Sequence, residues 1–499
     1  MSGKHEKIKT FFERFFWGDN LLNASSKEET TQILQREPTP DELVLGWAES
    51  TDEATKQTTI LPKGVSQEHR GTHFYVVGAS GSGKTKFLET LAEQDIKNGY
   101  GFGVIDAHGD LTEDLKGYLY LLKKDDEEFL RERVILIDPT DPASTTCFNP
   151  LEKAEGITPA GIASELVEVF KKIWKDAWGA RMEDLLKNTL IALIENDLTL
   201  AELPAYLTDF NFRKFLLEKV EHPICRQYFE RFNSLAPHTR NEWIESTLNK
   251  VNAFLSDDNV RQMFVSPKST FNLRDAMDSQ KVLLVKLDRG HLKGNADLLG
   301  ALLLAKLQMA AFSRTDIPPS KRVPFYLYID EFQNFATESF VQILAEARKY
   351  KLSLILAHQN LAQLLPSLRA SIFSNCGLQA YFRISRDDSN VLAKESLSSI
   401  YNNPPGWEWY IQQLQELPHR ACVIKNKIEG GVIAISTLNL APPYETADMD
   451  EEEFRAEVAA ANIGAAYLRP REDVEKEYKA RREGLLRSAE AESFRERKL

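Results

Sequence analysis

One stretch of the chain constrains its fold more than any other: Gly78-Ala79-Ser80-Gly81-Ser82-Gly83-Lys84-Thr85, which fits the pattern G-x-x-x-x-G-K-[ST]. That pattern works only between a strand and a helix, and the chain supplies both. Phe74-Tyr75-Val76-Val77 is an apolar run that predicts a buried strand, and Lys86-Phe87-Leu88-Glu89-Thr90-Leu91 predicts the opening of a helix. The glycines let the backbone curl so that successive N–H groups and a helix N-terminus point at one place, which favours a polyphosphate. In such a cradle Lys84 would neutralise the β and γ phosphates and the Thr85 hydroxyl would ligate Mg²⁺, so ATP and Mg²⁺ are the expected cofactors.

Outward from this loop the pattern alternates between strand and helix. Phe74 to Gly78, Gly101 to Asp106 and Arg133 to Asp138 are strand-like, which signals a parallel α/β sheet. After Asn149-Pro150 the β signal vanishes. Thr158-Pro159 offers an N-cap with proline at the first helical position, and Ile162, Leu166, Val169, Phe170 and Ile173 then recur at helical spacing. Met182, Leu185, Leu186, Leu190, Leu193 and Ile194 repeat the pattern, so residues 155–275 read as an all-helical insertion whose Trp174, Trp178 and Trp243 are packing residues. Strands resume at Lys281 to Asp288, Val323 to Glu331, Leu352 to Ala357 and Gly377 to Ile384, with a hairpin around Glu429-Gly430-Gly431. The expected division is an N-terminal segment 1–66, a nucleotide domain made of 67–154 and 276–445, the insertion 155–275, and a charged helical tail 446–499. A chain of 499 residues is too long for one hydrophobic core, which agrees with such a division.

Asp330-Glu331 ends an apolar strand, where a P-loop ATPase places its second acidic motif. Asp330 would hold Mg²⁺ and Glu331 would orient and deprotonate the attacking water, which implies hydrolysis as well as binding. Arg348 closes the following helix and Gln359 the next strand, at the sheet edge where γ-phosphate sensors sit; by chemistry alone either could equally be a surface residue. Arg289, His291 and Lys293, in Asp288-Arg289-Gly290-His291-Leu292-Lys293-Gly294, form a basic loop suited to phosphates, or a plain connection. Asp106, His108 and Asp110 offer one His and no second cluster, so they read as a structural loop at the sheet edge.

A net charge of -12 argues against a protein coated in nucleic acid, but leaves room for a basic lining where a strand passes. Cys147, Cys225, Cys376 and Cys422 are scattered with no C-x-x-C, so neither a zinc site nor a disulfide framework is indicated. No run approaches the ~18 apolar residues of a transmembrane helix. The expectation is a cytoplasmic protein, recruited to any membrane by a partner or by the aromatic segment Phe11-Phe12-Glu13-Arg14-Phe15-Phe16-Trp17.

The order of Gly78 to Thr85, Ile329-Asp330-Glu331-Phe332-Gln333-Asn334-Phe335, Glu346-Ala347-Arg348-Lys349 and Ala357-His358-Gln359 resembles the HerA/FtsK superfamily of RecA-like motor ATPases. Val104 to Asp110, Asp138-Pro139-Thr140-Asp141 and Phe148-Asn149-Pro150-Leu151 are most similar to the TraD/TraG-like coupling-protein branch of type IV secretion and conjugation. The resemblance implies a RecA-like P-loop fold with a mostly parallel central sheet, an all-helical insertion and a helical C-terminal tail. It further implies Lys84 and Thr85 on ATP and Mg²⁺, Asp330 on Mg²⁺, Glu331 as catalytic base, Arg348 as an arginine finger acting in trans, and Gln359 as sensor. Arg383 and Arg386 rank next as interfacial arginines. A finger in trans needs a homo-oligomer, and the family forms hexameric rings that move DNA through a pore. The implied function is an ATP-hydrolysing DNA translocase of DNA-transfer type, with a relaxase or secretion partner. The alternative is a HerA-like ATPase that assembles with or regulates a nuclease in repair or anti-phage defence.

Overall fold

The computed structural model describes residues 42–51, 58–175, 178–397 and 405–496. The aromatic segment at Phe11 to Trp17 lies outside them. The strands are β1 (Glu42–Thr51), β2 (Thr58–Ser66), β3 (Phe74–Val77), β4 (Phe102–Asp106), β5 (Val134–Ile137), β6 (Ser144–Thr146), β7 (Val282–Lys286), β8 (Phe325–Ile329), β9 (Leu352–His358), β10 (Leu378–Tyr381), β11 (Ala421–Asn426), β12 (Gly431–Ser436) and β13 (Leu468–Pro470). Eleven of them form one sheet in the order β2-β1-β12-β11-β10-β3-β9-β8-β4-β7-β5. From β10 to β5 every neighbouring pair is parallel, and from β10 to β2 every pair is antiparallel.

The parallel strands are buried on both faces, as a sheet covered by crossover helices requires, and their sequences are accordingly continuous apolar runs. Along β3 the faces alternate: Phe74 and Val76 meet the core beneath the P-loop helix (Lys84–Asn98), while Tyr75 and Val77 meet the core beneath the insertion. The sheet is wider than the alternating pattern announced. The linking strand or two expected before the nucleotide domain are β1 and β2, and they join the sheet itself: β1 pairs with β12 and β2 with β1, with Leu43 and Leu45 buried against the P-loop side.

The P-loop helix is fastened to the strand that carries the acidic pair by a buried charge cluster. The Arg70 guanidinium forks onto both Asp95 oxygens and also donates to the Tyr328 hydroxyl at 2.7 Å. Tyr328 in turn donates to Asp95 Oδ2 at 2.7 Å, and the Tyr326 ring lies 3.3 Å beneath the guanidinium. Burial alone would disfavour the Arg70 charge, but Asp95 more than offsets it and holds Arg70 well above its ordinary pKa.

From Pro159 to Asp278 every described element is helical. The first helix, Pro159–Ile173, starts as its sequence predicts, with the Thr158 side chain accepting from Gly161 N and proline in the first turn. Trp174 stacks on Phe170 with ring centroids 4.6 Å apart, and Trp243 packs on Phe232 with Arg181 over its face. The helix Gly294–Phe312 corrects an expectation: it is long and apolar enough to cross a membrane by composition, but most of it is buried between sheet and insertion. The charged tail is also more than a solvated helix. β13 pairs with β6, and the following helix (Arg471–Glu496) binds the insertion through Arg481 to Glu202 at 2.6 Å and Glu475 to Arg261 at 3.0 Å.

The Arg70 cluster yields a stability test. Asp95→Asn strands a buried guanidinium, which is expected to cost about 3–5 kcal/mol in a urea melt followed by circular dichroism.

Candidate active site

Three adjacent parallel strands, β3, β9 and β8, bring the site together. Val77 is in register with His358, and Ile329 with Leu356, so Gly78, Gln359 and Asp330 all leave the same sheet edge within roughly 10 Å, two strand spacings. Gly78 N donates to His358 O at 3.3 Å and Ala79 N to Arg383 O at 2.7 Å, which fixes the start of the loop to its neighbours.

Two glycines are obligatory here. Gly83 caps the P-loop helix at φ 108°, a left-handed conformation that favours glycine. At Gly78 an added Cβ would lie 2.5 Å from Phe382 Cβ and 2.7 Å from Ser82 Oγ. Lys84 Nζ folds back into the loop, donating to Gly78 O at 2.5 Å and Ala79 O at 3.2 Å. Burial lowers the Lys84 pKa, and nearby Asp330 and Glu331 partly oppose that shift. Thr85 is exposed in the first helical turn, while Ser82 Oγ is buried without a partner.

Asp330 and Glu331 are both buried, at 5% and 6% exposure. Burial, then Glu331, then Asp106 push Asp330 up to about 7 against the opposing pull of Lys84 and His108. Glu331 sits in the left-handed region at φ 50°, ψ 45°, rare for a non-glycine, and its Oε2 accepts from Gln333 Nε2 at 2.7 Å. Asp106 is occupied as a cap, accepting from His108 N and Thr112 N at 2.9 Å each, as its reading as a structural loop requires. Among the described residues no cluster of His, Cys, Asp and Glu has the geometry of a metal site.

These donors fit a nucleoside triphosphate with Mg²⁺. The cradle has no room for a side chain at Gly78, a buried hydroxyl lacks a partner, and a crowded carboxylate is held towards its neutral form until a cation joins it. When bound, that group would rest on Gly78 to Thr85, with Thr85 and Asp330 towards the metal.

Gln359 follows β9 between the two motifs, half-buried. Arg348 is elsewhere. It is exposed in the turn Ala347–Tyr350 that leads into β9, and its charge is felt by His73, which precedes β3, so it lies at the opposite edge of the sheet. Arg383 and Arg386 are exposed on the P-loop side, and Asp388 is occupied by Leu361 N rather than by Arg386. The basic loop is a short helix, Arg289–Leu292, in which Arg289 pairs with Asp297 at 2.9 Å and His291 with Asp288 at 2.7 Å; Lys293 is exposed.

Sequence reasoning missed Arg420 and His358. Arg420, at φ 66°, donates its N–H to Ser82 O at 3.0 Å and packs over Gly83. No local pattern marks it, because the contact spans more than three hundred residues of chain. His358 accepts or donates a 2.6 Å bond with the Tyr75 hydroxyl, and burial, then Lys84, push it down to about 3, so it is neutral beside the P-loop.

The sequence model of a family described as the type IV secretion-system coupling protein DNA-binding domain matches residues 58–397. No curated protein matches the chain by sequence. Among solved structures, the plasmid coupling protein TrwB in complex with the GTP analogue GDPNP is similar at a TM-score of 0.54 and 15% identity, over 83% of this chain and 93% of that one. An unbound form of the conjugative coupling protein TrwBdeltaN70 is similar at 0.55 and 15%, over the same shares. TrwB with ADP and Mg²⁺ is similar at 0.53 and 16%, over 81% and 96%. At these identities the likeness is one of fold.

The position of Asp330 predicts a pH-dependent stability. Its folded pKa is raised, so in the nucleotide-free protein its ionisation costs stability progressively as pH rises from about 4 to about 7. Asp330→Asn is expected to raise the melting temperature at pH 8, with a smaller gain at pH 5, by calorimetry.

Proposed function

The chain belongs to the type IV secretion-system coupling-protein DNA-binding family of FtsK/HerA-type P-loop ATPases, and from that premise we propose that it hydrolyses ATP in a homo-oligomeric ring, a hexamer, and moves DNA. The observation that carries this reading is the separation of the phosphate chemistry into two halves. Lys84, Thr85, Asp330, Glu331 and Gln359 meet at one sheet edge, whereas Arg348 is exposed at the other and cannot reach its own site. A second copy placed head to tail would bring its Arg348 to the first copy's P-loop, and repetition of that contact makes a ring where the rotation between copies closes.

TrwB binds ADP with Mg²⁺ and an ATP analogue, and we carry that ligand pair to this chain. When bound, Mg²⁺-ATP would supply an electrophilic γ-phosphoryl group and a cation to offset its charge, held by Gly78 to Thr85 with Thr85 and Asp330 towards the metal. Lys84 exchanges its two loop carbonyls for phosphate oxygens. Glu331 accepts a proton from water, and its buried position keeps that carboxylate from being screened. Gln359, set between the two motifs, offers a neutral amide to the terminal phosphate. Arg348 from the neighbour offsets charge in the transition state. DNA is the proposed cargo, met at Arg289, His291 and Lys293, and a relaxase or secretion complex the proposed partner. Four buried free cysteines fit a reducing cytoplasm.

ATP turnover by the purified protein is expected to rise when single- or double-stranded DNA is added. Lys84→Ala and Glu331→Gln should each abolish turnover, with Glu331→Gln still binding ATP. Arg348→Ala is expected to lower the rate by about 10³-fold or more. Mixing Arg348→Ala with Lys84→Ala should recover activity that neither shows alone, because each lacks a different half of the shared site. No recovery would remove Arg348 as a finger in trans, and a DNA-indifferent ATPase would sink the motor reading.

A further inference from the structure

The helical insertion reaches the acidic turn through one side chain. Lys172, in the last turn of the helix Pro159–Ile173, sends its ammonium across to the turn Phe332–Asn334 and donates to Gln333 O at 3.0 Å and Asn334 O at 2.8 Å. Glu331 is the residue that caps this turn, in the left-handed conformation, and Gln333 also holds the Glu331 carboxylate at 2.7 Å. Such a conformation persists only where its surroundings over-determine it. Two charge-assisted bonds from a largely buried ammonium are a sufficient reason for it to persist.

Asp297, in the first turn of the helix Gly294–Phe312, favours the Lys172 charge without forming an ion pair or hydrogen bond with it. Asp297 is clasped by Arg289, with Nε 2.9 Å from Oδ1 and Nη2 donating to Oδ2 at 3.0 Å, and this pair is open to solvent at 38% and 23% side-chain exposure. Contacts thus join the exposed guanidinium to Asp297 at one end and Lys172 to the backbone that orients Glu331 at the other, and the field of Asp297 spans the gap between them. Burial pushes Lys172 down to about 7, with Asp297 opposing. Gln333 Oε1 and Asn334 Nδ2 are buried without partners, so the turn holds hydrogen-bonding capacity for a second arrangement.

Resting on the motor reading above, we propose that Lys172 is a positioning residue that sets the Glu331 turn, and that a nucleic-acid phosphate taken up by Arg289 acts on it by loosening Arg289 from Asp297. A phosphate competing for Arg289 frees Asp297 to draw on Lys172. The insertion and the DNA-facing turn then report to the hydrolytic carboxylate through three side chains.

The test uses the full chain. Lys172→Met is expected to lower kcat for ATP at least tenfold with KM within twofold, and Lys172→Arg, which keeps the donors, to restore most of the rate. Hydrogen exchange at the amides of residues 332–336 should quicken at least tenfold in Lys172→Met. Asp297→Asn should cut the stimulation of turnover by DNA at least fivefold. Gln333→Ala, which leaves the insertion untouched, is expected to lower kcat likewise and guards against misfolding of the lysine variant. Unchanged kcat or unchanged exchange in folded Lys172→Met overturns the tether, and undiminished stimulation in Asp297→Asn overturns the link to DNA. The exchange experiment needs no turnover, so an unaltered protein that hydrolyses no ATP would sink the motor reading while the tether is still decided.

Discussion

The register of β3, β9 and β8 is the constraint on which the rest depends. A one-residue slip in any of the three would turn its side chains to the other face of the sheet and carry its terminal motif out of reach of the others. The register is secured at both ends. On the loop side, backbone bonds from Gly78 to His358 and from Ala79 to Arg383 join β3 to its flanking strands. On the opposite side, Arg70, Asp95 and Tyr328 tie the P-loop helix to β8 across a face of the sheet. A buried ion pair is weak evidence for stability as such, since its desolvation opposes its attraction. Its value here is geometric. The fork of Arg70 onto Asp95, with Tyr328 bonded to both, ties the helix that begins at Lys84 to the strand that ends beside Asp330.

The edge where these elements end carries an electrostatic imbalance. Asp106, Asp330 and Glu331 crowd one edge, opposed by Lys84 and, more weakly, His108. Asp106 is relieved by two backbone N–H groups, whereas Asp330 accepts from Glu331 N alone among the described bonds and is driven towards neutrality. Lys84, for its part, is held by two carbonyls that any phosphate oxygen would outcompete. Both halves of the site are therefore poorly satisfied in the bare protein. A divalent cation with a polyphosphate would settle both at once.

Much of this was legible in the sequence because it is local. The strand, loop and helix around Gly78 to Thr85, the acidic pair at the end of an apolar strand, and the helical period from Ile162 onward depend on residues a few positions apart. What was not legible is non-local. Nothing near Leu43 says that β1 will pair with β12, and nothing near Leu468 says that β13 will cross to β6. Arg420 reaches Gly83, and Asp297 neutralises Arg289, through contacts that only the folded sheet creates. The apolar helix Gly294–Phe312 shows the converse: composition alone fits a membrane span, and burial between sheet and insertion explains the same residues.

The proposed ring sharpens the meaning of the turn at residues 331–334. A head-to-tail neighbour would press on the site from outside through Arg348, while the insertion holds the same turn from within through Lys172. On that proposal Glu331 stands where two supports meet, one from the neighbouring subunit and one from its own insertion. A carboxylate in a rare backbone conformation suits that position, because a small displacement of either support is enough to release it. On the proposed function, rigid placement of Lys84 by the sheet and conditional placement of Glu331 by its supports would separate nucleotide binding from nucleotide turnover. That separation is what a motor needs if binding is to occur at every site and hydrolysis only where the neighbour and the cargo are both in place.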